Sequence, residues 1–310
     1  MDKEKVIEVR SLEKRYGKLI AVDGINFEVN RGEIFGLLGE NGAGKSTTLE
    51  IIEGLRKPTE DTISVLGHDV NKNIKDIKEK IGVQLQSSAY YHYLTLKEIL
   101  NLFASFYNKT VDTEKLLEMV GLEEKKNAFV GSLSGGQRQR FSIIASLIND
   151  PEIVFLDEPT TGLDPLARRH LWNIIINIKK QGKTIVLTTH YMEEAEILCD
   201  RIAIMEKGKI VAVDETHKLI EKAKNPFKIN FINTAMTEKD LAEIEGLGDL
   251  SQVAGKGYSY EFRAKNQASV NKALTIINKS KTESLTVGRA SLEDVFIELT
   301  GKNILEDNNA

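Results

Sequence analysis

The stretch that decides the fold is Ile34-Phe35-Gly36-Leu37-Leu38-Gly39-Glu40-Asn41-Gly42-Ala43-Gly44-Lys45-Ser46. Its first five residues are apolar or glycine and predict a buried strand, while residues 47–55 carry apolar side chains at helical spacing. Between them, two glycines separated by four residues and closed by Lys-Ser match the pattern of a phosphate-binding loop. Strand, glycine loop and helix are the context that this motif requires, so the stretch predicts an α/β fold.

The phosphate loop contains groups suited to a nucleoside triphosphate. Its glycines let backbone N–H groups converge on a phosphate, and the following helix presents its positive end to the anion. Lys45 adds a charge that reaches the β- and γ-oxygens, and Ser46 offers a hydroxyl to Mg²⁺. The predicted ATP-binding residues of this segment are Gly39, Asn41, Gly42, Ala43, Gly44, Lys45, Ser46 and Thr47.

A second apolar run, residues 153–156, ends in the acidic pair Asp157 and Glu158. Side chains at the carboxyl edge of a parallel sheet lie beside the phosphate loop, where a ligand of Mg²⁺ belongs. We therefore predict Asp157 as a metal residue and Glu158 as the group that polarises the attacking water. The alternative is an acidic pair in a solvated turn.

Between these two motifs lies Leu133-Ser134-Gly135-Gly136-Gln137, just before a predicted helix. Free N–H groups and the Ser134 hydroxyl at a helix start form an anion site. A capped helix start is the simpler interpretation; it accounts for the serine and one glycine, but not for Gln137.

Together these motifs resemble the ATP-binding subunit of an ABC transporter over about residues 6–224. The resemblance implies a P-loop NTPase core with an antiparallel β-subdomain and a helical insertion at about 87–150. It implies ATP and Mg²⁺ as cofactors and a dimer with itself or a homologous subunit. In the most economical two-fold geometry, each Ser134 caps the γ-phosphate held by the other chain's Lys45. The partner-facing residues would be Ser134, Gly135, Gly136 and Gln137.

The resemblance also implies roles for isolated residues. His190, in Thr-Thr-His, matches the switch histidine that hydrogen-bonds to the γ-phosphate. Gln86 resembles the glutamine that contacts Mg²⁺ and water, with Gln84 as the rival. Tyr16 resembles the aromatic that stacks on adenine, although such a residue is often part of a core. Asp164 matches the loop that lies against the partner's phosphate loop.

The sequence pattern changes after about residue 224. Alternating strands and segments of helical spacing there predict a β-α-β-β-α-β module like the ferredoxin fold. The last segment, residues 291–301, resembles the drug- and antibiotic-resistance branch of exporters. The predicted domains are an ATP-binding domain at 1–224, a small α+β domain at 225–302 and a flexible tail at 303–310.

Composition restricts the class of protein further. With 41% hydrophobic and 28% charged residues, the 310-residue chain is typical of a globular protein. A formal net charge of −4 gives no basic footprint, so no nucleic-acid partner is expected. Cys199 is the only cysteine, which rules out an intrachain disulfide and favours a reduced compartment. Apolar runs are too short to span a bilayer, so we expect a peripheral protein on the cytoplasmic face of the membrane.

The predicted function is an ATPase subunit that powers an exporter of a drug, antibiotic or other hydrophobic or toxic compound through a separate integral-membrane permease. Two alternatives stay open: an import ATPase with a regulatory C-terminal domain, and an ABC-type ATPase that acts on ribosomes or nucleic acid. The run Tyr90-Tyr91-His92-Tyr93 suits docking of the membrane subunit, although tyrosines in surface loops are common.

Overall fold

The computed structural model describes residues 4–84, 90–253, 258–279 and 282–301, apart from the side chain of residue 61. The chain divides into two compact units, Met1–Glu215 and Thr216–Ala310. The division precedes the change of sequence pattern at residue 224, because a helix at Thr216–Glu221 belongs to the second unit.

The first unit contains two sheets and the helices that cover them. Its strands are β1 (Lys5–Tyr16), β2 (Leu19–Asn30), β3 (Ile34–Leu38), β4 (Glu60–Val65), β5 (His68–Asp69), β6 (Ile81–Gln84), β7 (Ile153–Asp157), β8 (Thr184–Thr189), β9 (Arg201–Glu206) and β10 (Lys209–Glu215). Its helices are α1 (Lys45–Ile52), α2 (Ile74–Lys78), α3 (Leu96–Ala104), α4 (Thr113–Met119), α5 (Gly135–Ala145), α6 (Pro165–Lys180) and α7 (Met192–Leu198).

The larger sheet has the strand order β10-β9-β3-β8-β7-β6. All neighbouring pairs are parallel except β9 and β10. Every residue of β3, β7 and β8 is buried, as a parallel strand covered on both faces requires. The carboxyl ends of these three strands therefore meet at one edge, where the phosphate loop begins.

The smaller sheet is the predicted antiparallel subdomain, with the order β2-β1-β4-β5. It packs against the parallel sheet through one hydrophobic core, in which the rings of Phe27 and Phe35 stack with centroids 5.3 Å apart. Leu49 and Ile52 of α1 belong to the same core. This packing holds α1, and with it the phosphate loop, against both sheets.

The segment between β6 and β7 is helical where it is described, as the resemblance implies. It contains α3, α4, α5 and two 3-10 turns, Glu123–Lys125 and Val130–Ser132. Phe141 and Ile144 on the buried face of α5 contribute to its packing. Within the described ranges, no helix combines the length and the hydropathy needed to cross a bilayer.

The second unit is a four-stranded antiparallel sheet with helices. Its elements are α8 (Thr216–Glu221), β11 (Phe227–Ile232), α9 (Glu238–Glu245), β12 (Asp249–Gln252), β13 (Ser259–Ala264), α10 (Gln267–Ile277), β14 (Ser284–Arg289) and α11 (Leu292–Thr300). From β11 to β14 the element order is the β-α-β-β-α-β order that the sequence pattern predicts, and the sheet order is β12-β13-β11-β14. Ile229, Phe231, Phe262 and Val270 are fully or almost fully buried in its core.

Candidate functional site

The phosphate loop has a backbone shape that only glycine can adopt at Gly44. Its φ is +100°, and a Cβ there would lie 2.4 Å from the carbonyl oxygen of Ala21. Helix α1 begins at the next residue, Lys45. The buried Lys45 Nζ donates to the carbonyl oxygens of Gly39 and Glu40 at 2.9 and 3.0 Å. These carbonyls hold the ammonium group inside the loop, where a phosphate would lie.

Asp157 ends β7 and contacts the phosphate loop. Ser46 Oγ donates to Asp157 Oδ1 at 3.1 Å, and the Thr188 hydroxyl of β8 donates to the same oxygen. The pKa of the Asp157 carboxyl is raised, because the effect of burial exceeds the opposing effect of the hydrogen bonds from Thr188 and Ser46. The structure thus brings together the side-chain oxygens of Ser46 and Asp157, which are the kind of ligand that Mg²⁺ binds. Sequence reasoning missed Thr188, whose signal is a polar residue near the end of an apolar strand.

Glu158 directly follows β7 at the carboxyl edge of the parallel sheet, and its backbone adopts φ +47°. Its Oε1 is 3.3 Å from His190 Nδ1 and 3.5 Å from Lys45 Nζ, and Thr161 Oγ1 donates to its Oε2 at 3.1 Å. The contact with His190 and the charge of Lys45 lower the pKa of Glu158 to about 2, against the effect of burial. The carboxylate is therefore ionised throughout the neutral range, beside both predicted phosphate contacts.

Tyr16 shares a cavity with the phosphate loop. The cavity measures about 360 Å³ and is lined by Tyr16, Leu19, Ala21, Asn41, Gly42, Gly44, Lys45, Ser46, Thr47 and Glu158. The Tyr16 side chain is partly exposed, at 39%. Lys14 Nζ and Arg56 Cζ lie 5.0 and 5.5 Å from its ring centroid, within cation–π range. An exposed ring that borders the phosphate loop is the arrangement expected of a platform for the base.

The Ser134 loop forms a capping box at the start of α5. Ser134 Oγ accepts from the Gln137 N–H at 3.3 Å, and Gln137 Oε1 accepts from the Ser134 N–H at 3.0 Å. The expectation that a helix cap leaves Gln137 unexplained is therefore wrong, because the glutamine side chain is the reciprocal half of the cap.

The same loop lines a second cavity of about 490 Å³. Its lining residues are Ser134, Gly135, Gly136, Gln137, Arg140, Gly162, Leu163, Asp164, Leu166, Ala167 and His170. Asp164 begins α6, where its Oδ1 accepts from the N–H groups of Leu166 and Ala167, both at 2.9 Å. No residue is common to the linings of this cavity and the phosphate-loop cavity. The two predicted halves of the ATP site thus line different cavities in one chain.

Of the two glutamine candidates, Gln86 lies outside the described residues. Gln84 is the last residue of β6 and is buried. It pairs in register with Leu156, next to Asp157, so it lies at the same sheet edge as the acidic pair.

A third cavity, which we call the aromatic groove, measures about 430 Å³. Its lining includes Leu55, Tyr90, Phe103, Phe106 and Tyr107. The ring of Tyr90 packs edge-on against Phe141 at 5.3 Å between centroids, and Phe106 remains 67% exposed.

Glu53, at the C-terminal cap of α1, lines the aromatic groove and is only 2% exposed. Burial, followed by the charges of Asp157 and Glu50, raises its pKa to about 8. The composition of the chain gives no signal for this residue, because its burial follows from tertiary packing.

At the carboxyl edge of the parallel sheet, Glu158 thus lies between the lysine of the glycine loop and His190. This arrangement is that of a P-loop ATPase. The family model described as "ABC transporter" matches residues 22–161. The chain is 37% identical to a Nod factor export ATP-binding protein I of Burkholderia lata, over 96% of this chain and 98% of that protein. It is 34% identical to the linearmycin resistance ATP-binding protein of Bacillus subtilis, over 96% and 99%. Identity to a fluoroquinolones export ATP-binding protein of Mycobacterium tuberculosis is 39%, over 96% and 94%.

Solved structures agree with these relatives. An ATP-binding subunit of an ABC transporter superimposes with a TM-score of 0.63 at 31% identity, covering 70% of this chain and 92% of that one. An ATP-binding cassette solved as a dimer in a post-hydrolysis state with ADP and Pi has a TM-score of 0.61 at 27% identity, covering 67% and 98%. The chain belongs to the ABC transporter family, as an ATP-binding subunit with ATPase activity.

Proposed function

We propose that this subunit hydrolyses ATP at a site completed by a second copy, and thereby drives export of a hydrophobic or toxic compound through a separate permease. The observation that carries the proposal is the convergence of Lys45, Asp157, Glu158 and His190 at one edge of the parallel sheet. Export, rather than import, is supported by the names of the relatives, which concern Nod factor export, linearmycin resistance and fluoroquinolones export.

In the half-site of one chain, Lys45 exchanges its carbonyl partners and Glu158 for the β- and γ-phosphates. Ser46 and Asp157 would hold Mg²⁺, which supplies positive charge to the phosphate oxygens. The described residues contain no group of three or more His, Cys, Asp or Glu side chains suited to a metal. This fits Mg²⁺, which is commonly bound by one or two protein oxygens together with phosphates and water.

Glu158 and His190 act on the water and on the γ-phosphate. Glu158 accepts a hydrogen bond from the attacking water and orients it for in-line attack. His190, 3.3 Å from that carboxylate, donates to the γ-phosphate. Gln86, which lies outside the described residues, would contact the metal and water, with Gln84 as the alternative. Tyr16 stacks on the adenine.

The second half-site comes from the partner chain. Ser134 and its following glycines stand at the N-terminus of α5, where backbone N–H groups and the helix dipole favour an anion. Because their cavity contains no phosphate-loop residue, we propose that a two-fold dimer brings this cavity over the other chain's Lys45. Asp164 lines the same cavity and would then lie against the partner's phosphate loop.

The permease would dock in the aromatic groove. A cleft lined by Leu55, Tyr90, Phe103 and Phe106 matches the helix-in-groove mode of recognition, in which apolar side chains of a helix enter a hydrophobic cleft. Tyr91 and Tyr93, exposed at 64% and 92%, follow Tyr90 and extend the aromatic surface. A subunit docked in this way lies on the cytoplasmic face of the membrane, with residues 225–302 as an accessory domain.

Co-purification from native membranes in mild detergent tests the export assignment. We expect a protein with several membrane spans to copurify with the wild-type subunit and to be lost from Phe106→Glu. Val211→Glu, at an exposed apolar residue outside the groove, should retain it. Ribosomes, DNA or a solute-binding protein in its place would overturn the export proposal in favour of one of its alternatives.

A further inference from the structure

A stack of side chains stands behind His190. The ring of Tyr191, the next residue, lies 4.2 Å from the His190 ring between centroids. Arg168 Cζ, from the first turn of α6, lies 4.3 Å from the Tyr191 centroid. The order from the helix to the site is therefore Arg168, Tyr191, His190, and then the Glu158 carboxylate.

The guanidinium of Arg168 is unusual because one of its nitrogen atoms is buried. Its Nε is buried and has no hydrogen-bond partner within the described ranges, which costs free energy. Two features compensate: the π face of Tyr191, and the fully buried Glu194 carboxyl of α7. Burial raises the pKa of that carboxyl, and the charge of Arg168 is one of the smaller effects that oppose the rise. Trp172 Nε1 donates to Glu194 at 3.1 Å and fixes that carboxyl. These contacts hold the guanidinium against the Tyr191 ring.

The position of the His190 ring matters because its contact is marginal. A separation of 3.3 Å between Nδ1 and Glu158 Oε1 is longer than the usual 2.9–3.0 Å of an N–H···O hydrogen bond. A small rotation of the ring therefore decides whether the contact forms. The Tyr191 ring, which is tilted by 40° to the His190 ring and in contact with it, is the neighbouring group that can set this rotation.

We propose that Arg168 and Tyr191 are positioning residues that set the His190 ring against Glu158 and link this setting to the loop before α6. The proposal rests on the role of His190 given above. The Arg168 N–H donates to the Asp164 carbonyl at 2.9 Å, so the arginine stands one helical turn from the residue that lines the partner-facing cavity. A shift of this loop on contact with a second copy moves Arg168, and through the stack it moves the histidine.

The test is steady-state MgATP hydrolysis by the intact chain. Loss of one cation–π contact in Arg168→Met or Tyr191→Leu should lower kcat about 3- to 30-fold, whereas KM and MgATP affinity stay within about twofold. The double variant should be no slower than the slower single variant, because both residues act through one stack. Tyr191→Phe, which keeps the ring, and Arg169→Met, at the exposed neighbouring arginine, should retain wild-type kcat.

Three results would overturn the proposal: losses that multiply in the double variant, a raised KM with unchanged kcat, or a Tyr191→Phe loss equal to that of Tyr191→Leu. If Arg168→Met does not fold by circular dichroism, the comparison of Tyr191→Phe with Tyr191→Leu still decides. Absence of hydrolysis by the wild type, or full activity of His190→Ala, would contradict the proposed function instead.

Discussion

Replacing Glu158 with glutamine tests the negative charge that lies between Lys45 and His190. The substitution keeps the size of a side chain that lies 3.3 Å from His190 and 3.5 Å from Lys45, but it removes the carboxylate that both contact. This carboxylate is the group that accepts a hydrogen bond from the attacking water and polarises it. General-base groups contribute about 10²- to 10⁴-fold, and we expect kcat to fall within that range. Each tenfold loss equals about 1.4 kcal/mol of activation free energy.

The assay is phosphate release at saturating MgATP, with nucleotide binding and dimer formation measured on the same sample. We expect Glu158→Gln to bind ATP and to accumulate as a dimer by size-exclusion chromatography, because hydrolysis no longer opens it. Glu193→Gln, at an exposed glutamate of α7, is the matched control and should hydrolyse ATP normally. A kcat within threefold of the wild type in Glu158→Gln would refute the assigned role.

Two further predictions concern stability. The folded pKa of Glu53, about 8, exceeds the ordinary 4.5, so its contribution to the free energy of unfolding is fully present below pH 4.5 and is lost as pH rises to 8, a loss of about 5 kcal/mol. Between pH 5 and 8, urea unfolding should therefore show a smaller loss of unfolding free energy for Glu53→Gln than for the wild type, while the exposed control Glu118→Gln behaves like the wild type. If the free energy of unfolding falls equally with pH in Glu53→Gln and the wild type, the buried Glu53 carboxyl is not the cause of the loss. Gly44→Ala should unfold at least about 2 kcal/mol more readily and lose ATP binding, because its φ of +100° and the 2.4 Å approach to a carbonyl both oppose a side chain. Gly131→Ala, with ordinary φ and open space around it, should do neither, and a tolerated Gly44→Ala would contradict this loop geometry.

Continuous apolar runs made the parallel sheet predictable. Residues 34–38 and 153–156 read as strands without knowledge of their neighbours, because both faces of a central parallel strand are buried. The phosphate loop and the acidic pair follow these strands directly, so their meeting at one edge follows from topology.

The antiparallel sheet was harder to delimit. In the sequence, the alternation typical of a strand is confined to residues 6–9 and 25–29, whereas β1 and β2 extend over Lys5–Tyr16 and Leu19–Asn30. The extra length is polar and partly exposed, and its pairing passes through several register shifts. Irregular, solvated strands lack the period of two that identifies a strand in sequence.

Tertiary contacts between distant residues could not be read from spacing. Thr188 bonds to Asp157, and Arg168 stacks on Tyr191, but each residue alone is ordinary in its own strand or helix. Gln137 shows the converse case: spacing did not reveal that its side chain completes the helix cap of Ser134, which is a sufficient structural reason for a glutamine there.

The central claim is that each ATP site takes its phosphate loop from one chain and its Ser134 loop from another. The most direct measurement is the ATPase activity of heterodimers between a Lys45→Ala chain and a Ser134→Glu chain, each inactive alone. A site shared between chains predicts one intact site per heterodimer and recovery of about half the wild-type rate per dimer. If each site lay within one chain, both sites of the heterodimer would carry one of the two substitutions and neither would work. Heterodimers as inactive as either parent would therefore contradict the account.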